Sequence, residues 1–191
     1  MNRFLATALL LALCGCGAQS GGLATSPTPA TEVTRTVEKD GKFLAFVGPR
    51  RQHAEPFLGV ASTNFYALRS WIDTRTGETV HQLYVEDSYF GERRRWNAAR
   101  DGQGRELRFI AISDNEITCD RGCSYAEEFA AALPDPLLRA NPNGLSVGFT
   151  TASGLQKTIA VPAELVQKQL AAILAARGAK PAAAAAGAAG S

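Results

Sequence analysis

The chain has 191 residues, 46% of them hydrophobic and 8% aromatic, with 20 Lys plus Arg against 18 Asp plus Glu for a formal charge of +2. That length suits one domain able to bury a real core, and leaves little room for a second. The near-neutral balance argues against nucleic acid as a partner, because such partners select a strongly basic surface.

Residues 1–15 begin with Arg3 and continue as an apolar run, Phe4 to Leu13. The run is too short to span a bilayer and has the form of a secretory signal peptide that is removed. It ends in Leu13-Cys14-Gly15-Cys16, which resembles the lipobox of bacterial lipoproteins: a Leu three residues before the modified Cys and a small residue directly before it. The resemblance implies cleavage after Gly15 and acylation, palmitate included, of Cys16. Cys14 does not fit as the modified residue, because the large Leu13 precedes it; it stands where such motifs more often carry Ala or Ser. Gly17 rather than Asp follows Cys16, which in that family implies the outer membrane instead of the inner one. Two or three acyl chains hold a protein stably where a single one does not. Loss of the signal removes Arg3 and leaves 19 cations against 18 anions.

From Cys16 to residue 32 the chain is small, polar and proline-bearing, without apolar period. It reads as a tether whose roughly 16 flexible residues span on the order of 20 Å. The domain is expected over residues 33–178. It opens with a hairpin, since Val33–Val37 and Lys42–Val47 flank Asp40-Gly41, the strongest two-residue turn signal in the chain.

A larger hairpin follows: a strand to about Asp73, a turn over Thr74–Gly77, and a strand from about Glu78 to Asp87. Tyr66, Leu68 and Ile72 share one face of its first arm, and Leu83 and Val85 one face of its second. Phe65, Tyr66, Trp71 and Tyr84 read as core more than as a sugar platform. His81, near Tyr84, Glu86 and Asp87, raises the possibility of a histidine–carboxylate pair in an envelope hydrolase, but no nucleophile motif accompanies it. His53 sits in the Arg50–His53 loop with less around it.

Arg93-Arg94-Arg95-Trp96, after Tyr89-Phe90, offers a cationic and aromatic patch for an acidic partner, lipid headgroup or glycan. The alternative is a solvated connection with Trp96 turned into the core. Trp96–Arg100, the turn Asp101–Gly104 and Glu106–Ile112 predict a third hairpin, with Ile110 and Ile112 on one face and Leu107 and Phe109 on the other.

Cys119 and Cys123 flank Asp120-Arg121-Gly122, the composition of a three-residue hairpin loop with Gly in the left-handed position. In an oxidising compartment the pair is expected as a local disulfide across the ladder. Cys-x3-Cys also resembles the spacing in copper-delivery proteins of thioredoxin-like fold, with His53 or His81 as a distant ligand. That reading needs a helix N-terminus or cationic surroundings to lower the thiol pKa, and the sequence before Cys119 supplies no strand leading into a long helix. Glu127 and Glu128, adjacent on a strand, point to opposite faces and make no acid–base pair.

Leu145–Phe149, a turn at Ser153-Gly154 and Thr158–Val161 predict a last hairpin. The period then changes: Pro162 suits a first helical position, Val166, Leu170, Ile173 and Leu174 fall on one helical face, and Gly178 follows as a stop. Residues 179–191 are Ala-rich and low in complexity and are expected to be disordered.

The segment Cys119–Ala140 followed by Gly144–Ile173 is similar in order (Cys, Gly-Cys, strand, Leu-Leu, strand, Gly, strand, helix) to the C-terminal third of the invasion-associated-locus-B periplasmic proteins. The resemblance covers about 60 residues and implies a β-rich, disulfide-bearing fold with no assigned catalytic residues. The pattern as a whole predicts a mainly β domain, an antiparallel sandwich or partly open barrel of hairpins with one C-terminal amphipathic helix. The functional expectation is a non-catalytic binding or structural module tethered to the outer membrane. Its partners are the membrane through its lipid and an envelope protein or glycan; no cofactor, metal or catalytic residue is expected. The alternatives are a copper or thiol carrier at Cys119 and Cys123, or a hydrolase using His81.

Overall fold

A computed structural model describes residues 31–38, 40–120 and 122–178. The signal, Cys16 with most of its tether, and the tail from residue 179 lie outside the described residues. The elements run β1 (Thr34–Val37), β2 (Phe43–Val47), β3 (Arg51–Gln52), a 3-10 turn (Phe57–Gly59), β4 (Phe65–Asp73), β5 (Thr79–Phe90), β6 (Trp96–Asp101), β7 (Glu106–Leu107), β8 (Phe109–Thr118), β9 (Ser124–Leu133), α1 (Asp135–Ala140), β10 (Gly144–Thr151), β11 (Gln156–Pro162) and α2 (Ala163–Gly178). They form two antiparallel sheets. The larger runs β1-β2-β4-β5-β9-β8, with β3 alongside β4 beyond the end of β2, and the smaller runs β11-β10-β6-β7. This is the mainly β, sandwich-type architecture the pattern predicts, and neither sheet closes into a barrel.

The first hairpin keeps the expected register, with Val37 opposite Leu44. Its closing bond runs from the Glu38 amide to the Phe43 carbonyl (3.0 Å), so the turn is wider than two residues; Gly41 supplies the left-handed φ of 67°. The β4–β5 and β10–β11 hairpins form as read, with Leu68 opposite Leu83 and Val147 opposite Ile159.

The third hairpin is cut short. Only Glu106 and Leu107 pair with β6; after Arg108 the chain crosses to the other sheet, where β8 pairs with β9. Leu107 and Phe109 still pack against the core from the two sides of this crossing, while Ile112 is left exposed. The crossover closes one side of the sandwich, because a single strand edge is thereby shared between the sheets.

Alternation of side chains sets the core between the sheets. Tyr66 and Leu68 from β4, Leu83 and Val85 from β5, and Phe129, Ala131 and Leu133 from β9 meet Trp96, Ala99, Val147, Phe149, Ile159 and Val161. Phe149 stands edge-on to Phe129, ring centroids 4.9 Å apart, and each such fully buried side chain contributes about 2–3 kcal/mol.

Helix α2 packs on strands of both sheets and covers the side opposite the crossover. Pro162 ends β11, the helix begins at Ala163, and Gly178 is its last residue rather than a stop beyond it. The buried face is Leu165, Val166, Gln169 and Ile173, with Leu170 half-buried, whereas Leu174 is 54% exposed. The polar Gln169 takes a place on the face toward the core, and the reason lies in what it touches.

Candidate functional site

The inward face of β5 changes character along its length. Leu83 and Val85 are apolar, but the next two inward residues are Asp87 and Tyr89, and the neighbouring strand β9 likewise passes from Phe129 to Glu127. Between the sheets at this end the apolar core gives way to an ionic cluster. The Asp87 side chain is 2% exposed and meets three donors: Lys157 Nζ from β11, Arg94 Nη1 at 2.7 Å and the Trp96 indole N–H at 2.9 Å.

Burial alone would raise the Asp87 carboxyl, but the attraction of Lys157, followed by that of Arg94, outweighs it and holds the pKa below the usual carboxylate value. Burial lowers the pKa of Lys157 in turn, and Asp87 offsets only part of that. His53 accepts from Lys157 at Nδ1 (3.3 Å) and donates from Nε2 to the Glu86 carbonyl at 2.7 Å. Burial, then the neighbouring Lys157, lowers its pKa, and these two bonds select the tautomer with the proton on Nε2.

Glu127 fastens the connection from β5 to β6. It accepts from the Tyr89 hydroxyl, the Arg95 amide at 2.9 Å and the Trp96 amide at 3.1 Å. Two successive amides reach one carboxylate because Arg95 adopts φ 56°. Asn64, at φ 54°, fastens the loop before β4: its side chain accepts from the Ser88 amide (2.8 Å) and donates to the Glu55 carbonyl (2.7 Å), while its own amide bonds Glu86. Burial pushes the Glu86 carboxyl up against the bonds from Ser88 and Asn64. Leu58, in the same loop, has φ 52°. Among the described residues these are the three non-glycine positions with left-handed φ, and all sit at this end. Such backbone costs of order 1–3 kcal/mol per residue where the residue is not suited to it, and it gathers at functional sites.

Arg93–Trp96 therefore do not make one exposed patch. Trp96 is turned inward and is 5% exposed, Arg94 stacks on Tyr89 at 3.8 Å while pairing with Asp87, and Arg93 leans over Tyr125 toward Asp114 (3.1 Å). Only the Arg95 side chain is fully at the surface. The connection is ordered by carboxylates, and of its three arginines only Arg94 is directed into the sandwich. Tyr66 is buried in the core between the sheets; Phe65 and Tyr84 are buried outside that core, ring centroids 5.7 Å apart beneath Arg50 and Arg69, and Trp71 is half-buried.

A cleft of about 270 Å³ opens onto Asp87, Arg94, Trp96 and Lys157, walled by Asn64 and Leu155. Its apolar wall is Ala54, Trp96 and Leu155, facing Ser88 and Gln156 as well as the charged cluster.

The disulfide is at the same end. Cys119 and Cys123 are joined with Cα atoms 3.9 Å apart, closer than the cross-strand separation expected, and the Cys123 carbonyl accepts from the Gly91 amide at 3.0 Å. Among the described residues no three His, Cys, Asp or Glu side chains gather into a group able to hold a metal.

His81 lies at the opposite end and does not meet Glu86 or Asp87. It faces Ser70 across the β4–β5 ladder, Ser70 Oγ to Nδ1 at 2.8 Å, and its Nε2 meets Asp135 Oδ1 at 2.9 Å from the start of α1. Gln169 of α2 donates to Ser70 Oγ (2.9 Å) and to the Phe46 carbonyl (3.3 Å). The donors run in one direction: Gln169 to Ser70, Ser70 to His81, His81 to Asp135. Burial lowers the His81 pKa against the pull of Asp135.

The order is that of a serine nucleophile, base and carboxylate, and sequence reading missed Ser70 and Asp135 because no motif surrounds them. Ser70 and Gln169 are 0% exposed, however, and only His81 and Asp135 border the 660 Å³ cleft at this end. A hydroxyl that no substrate can approach serves to bond the His81 ring and the Gln169 amide N–H beneath α2, where Gln169 Oε1 is left without a partner. Close approach of the helix needs Gly48, where an added Cβ would meet Gln169 Oε1 at 2.9 Å and the Leu68 carbonyl at 3.2 Å.

The chain matches no family model, no curated protein and no solved structure.

Proposed function

We propose that the chain is a lipid-anchored protein of the bacterial outer membrane whose β-sandwich acts by binding rather than by catalysis, with the Asp87–Arg94–Lys157 end as its binding end. The observation that carries this reading is the convergence there of strained backbone, buried charge and an open cleft, while the Ser70–His81–Asp135 series is sealed under α2 at its serine. The lipobox-like Leu13-Cys14-Gly15-Cys16 supports the anchor, and the disulfide suits an oxidising compartment. The hydrolase reading keeps one specific support, the Ser70–His81–Asp135 alignment, and it requires α2 to move away from Ser70.

Palmitate labelling of the full chain in a Gram-negative host, with hydrolysis of a panel of chromogenic esters, tests the proposal. Label on the wild type and none on Cys16→Ser is expected, with ester turnover no greater than in Ser70→Ala. An unlabelled wild type overturns the anchor, and turnover that disappears in Ser70→Ala replaces binding by catalysis.

A further inference from the structure

The geometry points to an oxyanion site: Arg94 and Lys157, held by Asp87 at the cleft between the sheets, together receive a small carboxylate or phosphate ester borne on an apolar body. The inference deepens the binding reading of this same end and rests on it.

Charge counting at the cleft gives the sign of the ligand. Two cations share the single carboxylate of Asp87, and the remaining polar neighbour on Lys157, His53, accepts from it at Nδ1, its pKa lowered by burial and by Lys157 itself. Among groups in direct contact one positive charge is left over; Glu86 also attracts Lys157 from nearby, but its carboxylate oxygens bond the Asn64 amide and the Ser88 hydroxyl rather than either cation. Glu127 does not line the cleft and is occupied by Tyr89 and two backbone amides.

Donor capacity gives the ligand its chemistry. Arg94 uses Nη1 on Asp87 and has further guanidinium N–H groups; Lys157 uses two of its three protons on Asp87 and His53. Both side chains are partly exposed, 28% and 18%, whereas the carboxylate that aims them is not. A guanidinium and an ammonium fixed side by side match two oxygens of one carboxylate or phosphate. Asp87 thus acts as a positioning residue, holding both cations in place before the ligand arrives, which reduces the ordering cost of binding.

The walls give the body of the ligand. Ala54, Trp96 and Leu155 form the apolar wall of the cleft. At about 270 Å³ the space takes an oxyanion with a ring or a short chain attached, not a polymer segment.

The test uses the full chain with Trp71→Phe, which leaves Trp96 as the one tryptophan and places the fluorescent reporter in the cleft. The probes are phenylacetate and phenyl phosphate, with neutral phenylacetamide as the uncharged match. Saturable change in Trp96 emission is expected for an anion, weakened about tenfold or more by Lys157→Met and by removal of the charge in phenylacetamide. The stronger of the two anions identifies the oxyanion. Because Lys157→Met disturbs the ion cluster, Gln156→Glu at the exposed rim adds a repelling charge and leaves the cluster whole; it too is expected to weaken the anion. Equal binding of phenylacetamide overturns the oxyanion inference while leaving a binding end. No saturable change with either anion, confirmed by unmoved amide resonances of Arg95 and Trp96, overturns the site altogether. Palmitate labelling of Cys16 is read independently, so the anchor and the site fail separately.

Discussion

Replacing Asp87 by Asn keeps the side-chain shape and removes the charge on which the ionic end of the core depends. In the wild type its two oxygens, 2% exposed, receive Lys157, Arg94 and the Trp96 indole. An amide retains one acceptor, presents an N–H to a cation, and leaves two positive charges facing each other. Removing one partner of a buried ion pair costs about 3–5 kcal/mol, and partial exposure of both cations places this case near 3 kcal/mol. For a domain of this size that is a fall in Tm of about 9 °C. Urea unfolding is the assay, with an unchanged m-value showing that the same surface is exposed. Adding Lys157→Met removes one unmatched cation and is expected to recover part of the loss, a coupling of about 1.5 kcal/mol or more. An Asp87→Asn protein within about 0.5 kcal/mol of wild type, or strict additivity in the double variant, refutes the view that this carboxylate holds the two cations.

Gly48→Ala drives a methyl into Gln169 Oε1 and toward the Leu68 carbonyl and is expected to cost about 2 kcal/mol in urea unfolding, because backbone on one side cannot yield; a neutral result contradicts the close approach of α2. Cys119→Ser with Cys123→Ser releases a loop closed over a sequence separation of 4, and the expected loss is about 2 kcal/mol with the domain still folded, read by circular dichroism and unfolding midpoint. Burial lowers the pKa of both His53 and His81 from 6.5, so the unfolded chain takes up protons first as pH falls. Their contribution to stability is therefore complete above the unfolded value and is lost as pH falls through about 6.5 toward the folded values. Both rings are expected to be more than half neutral at about pH 6.5 by their resonances, and half-titration there or above contradicts the assigned burial.

The sheets were legible because their residues obey a two-residue period: Tyr66, Leu68, Leu83, Val85, Val147 and Ile159 all face the core that alternation assigns them. The short β7 was not, since Leu107 and Phe109 continue an apolar alternation through Arg108 while the hydrogen-bonding partner changes from β6 to β9. Pairing is a tertiary choice that leaves no mark on the pattern. At the site, Arg94 and Trp96 lie in the tetrad singled out from sequence, but their common point, Asp87, was noted only as a neighbour of His81. Its signal was parity: two residues beyond Val85 on an inward face, a carboxylate must find cations, and Lys157 stands at the corresponding inward position before Ile159. Ser70 and Gln169 gave no such signal, because a helix registry decides their meeting.

Intact mass of the protein purified from its native membranes, with and without reduction before alkylation, tests most directly the account of an envelope lipoprotein with a locally stapled binding domain. The account predicts a chain that starts at Cys16 and carries acyl groups, with two thiols alkylated only after reduction. An unacylated mass, or two thiols that react without reductant, contradicts it.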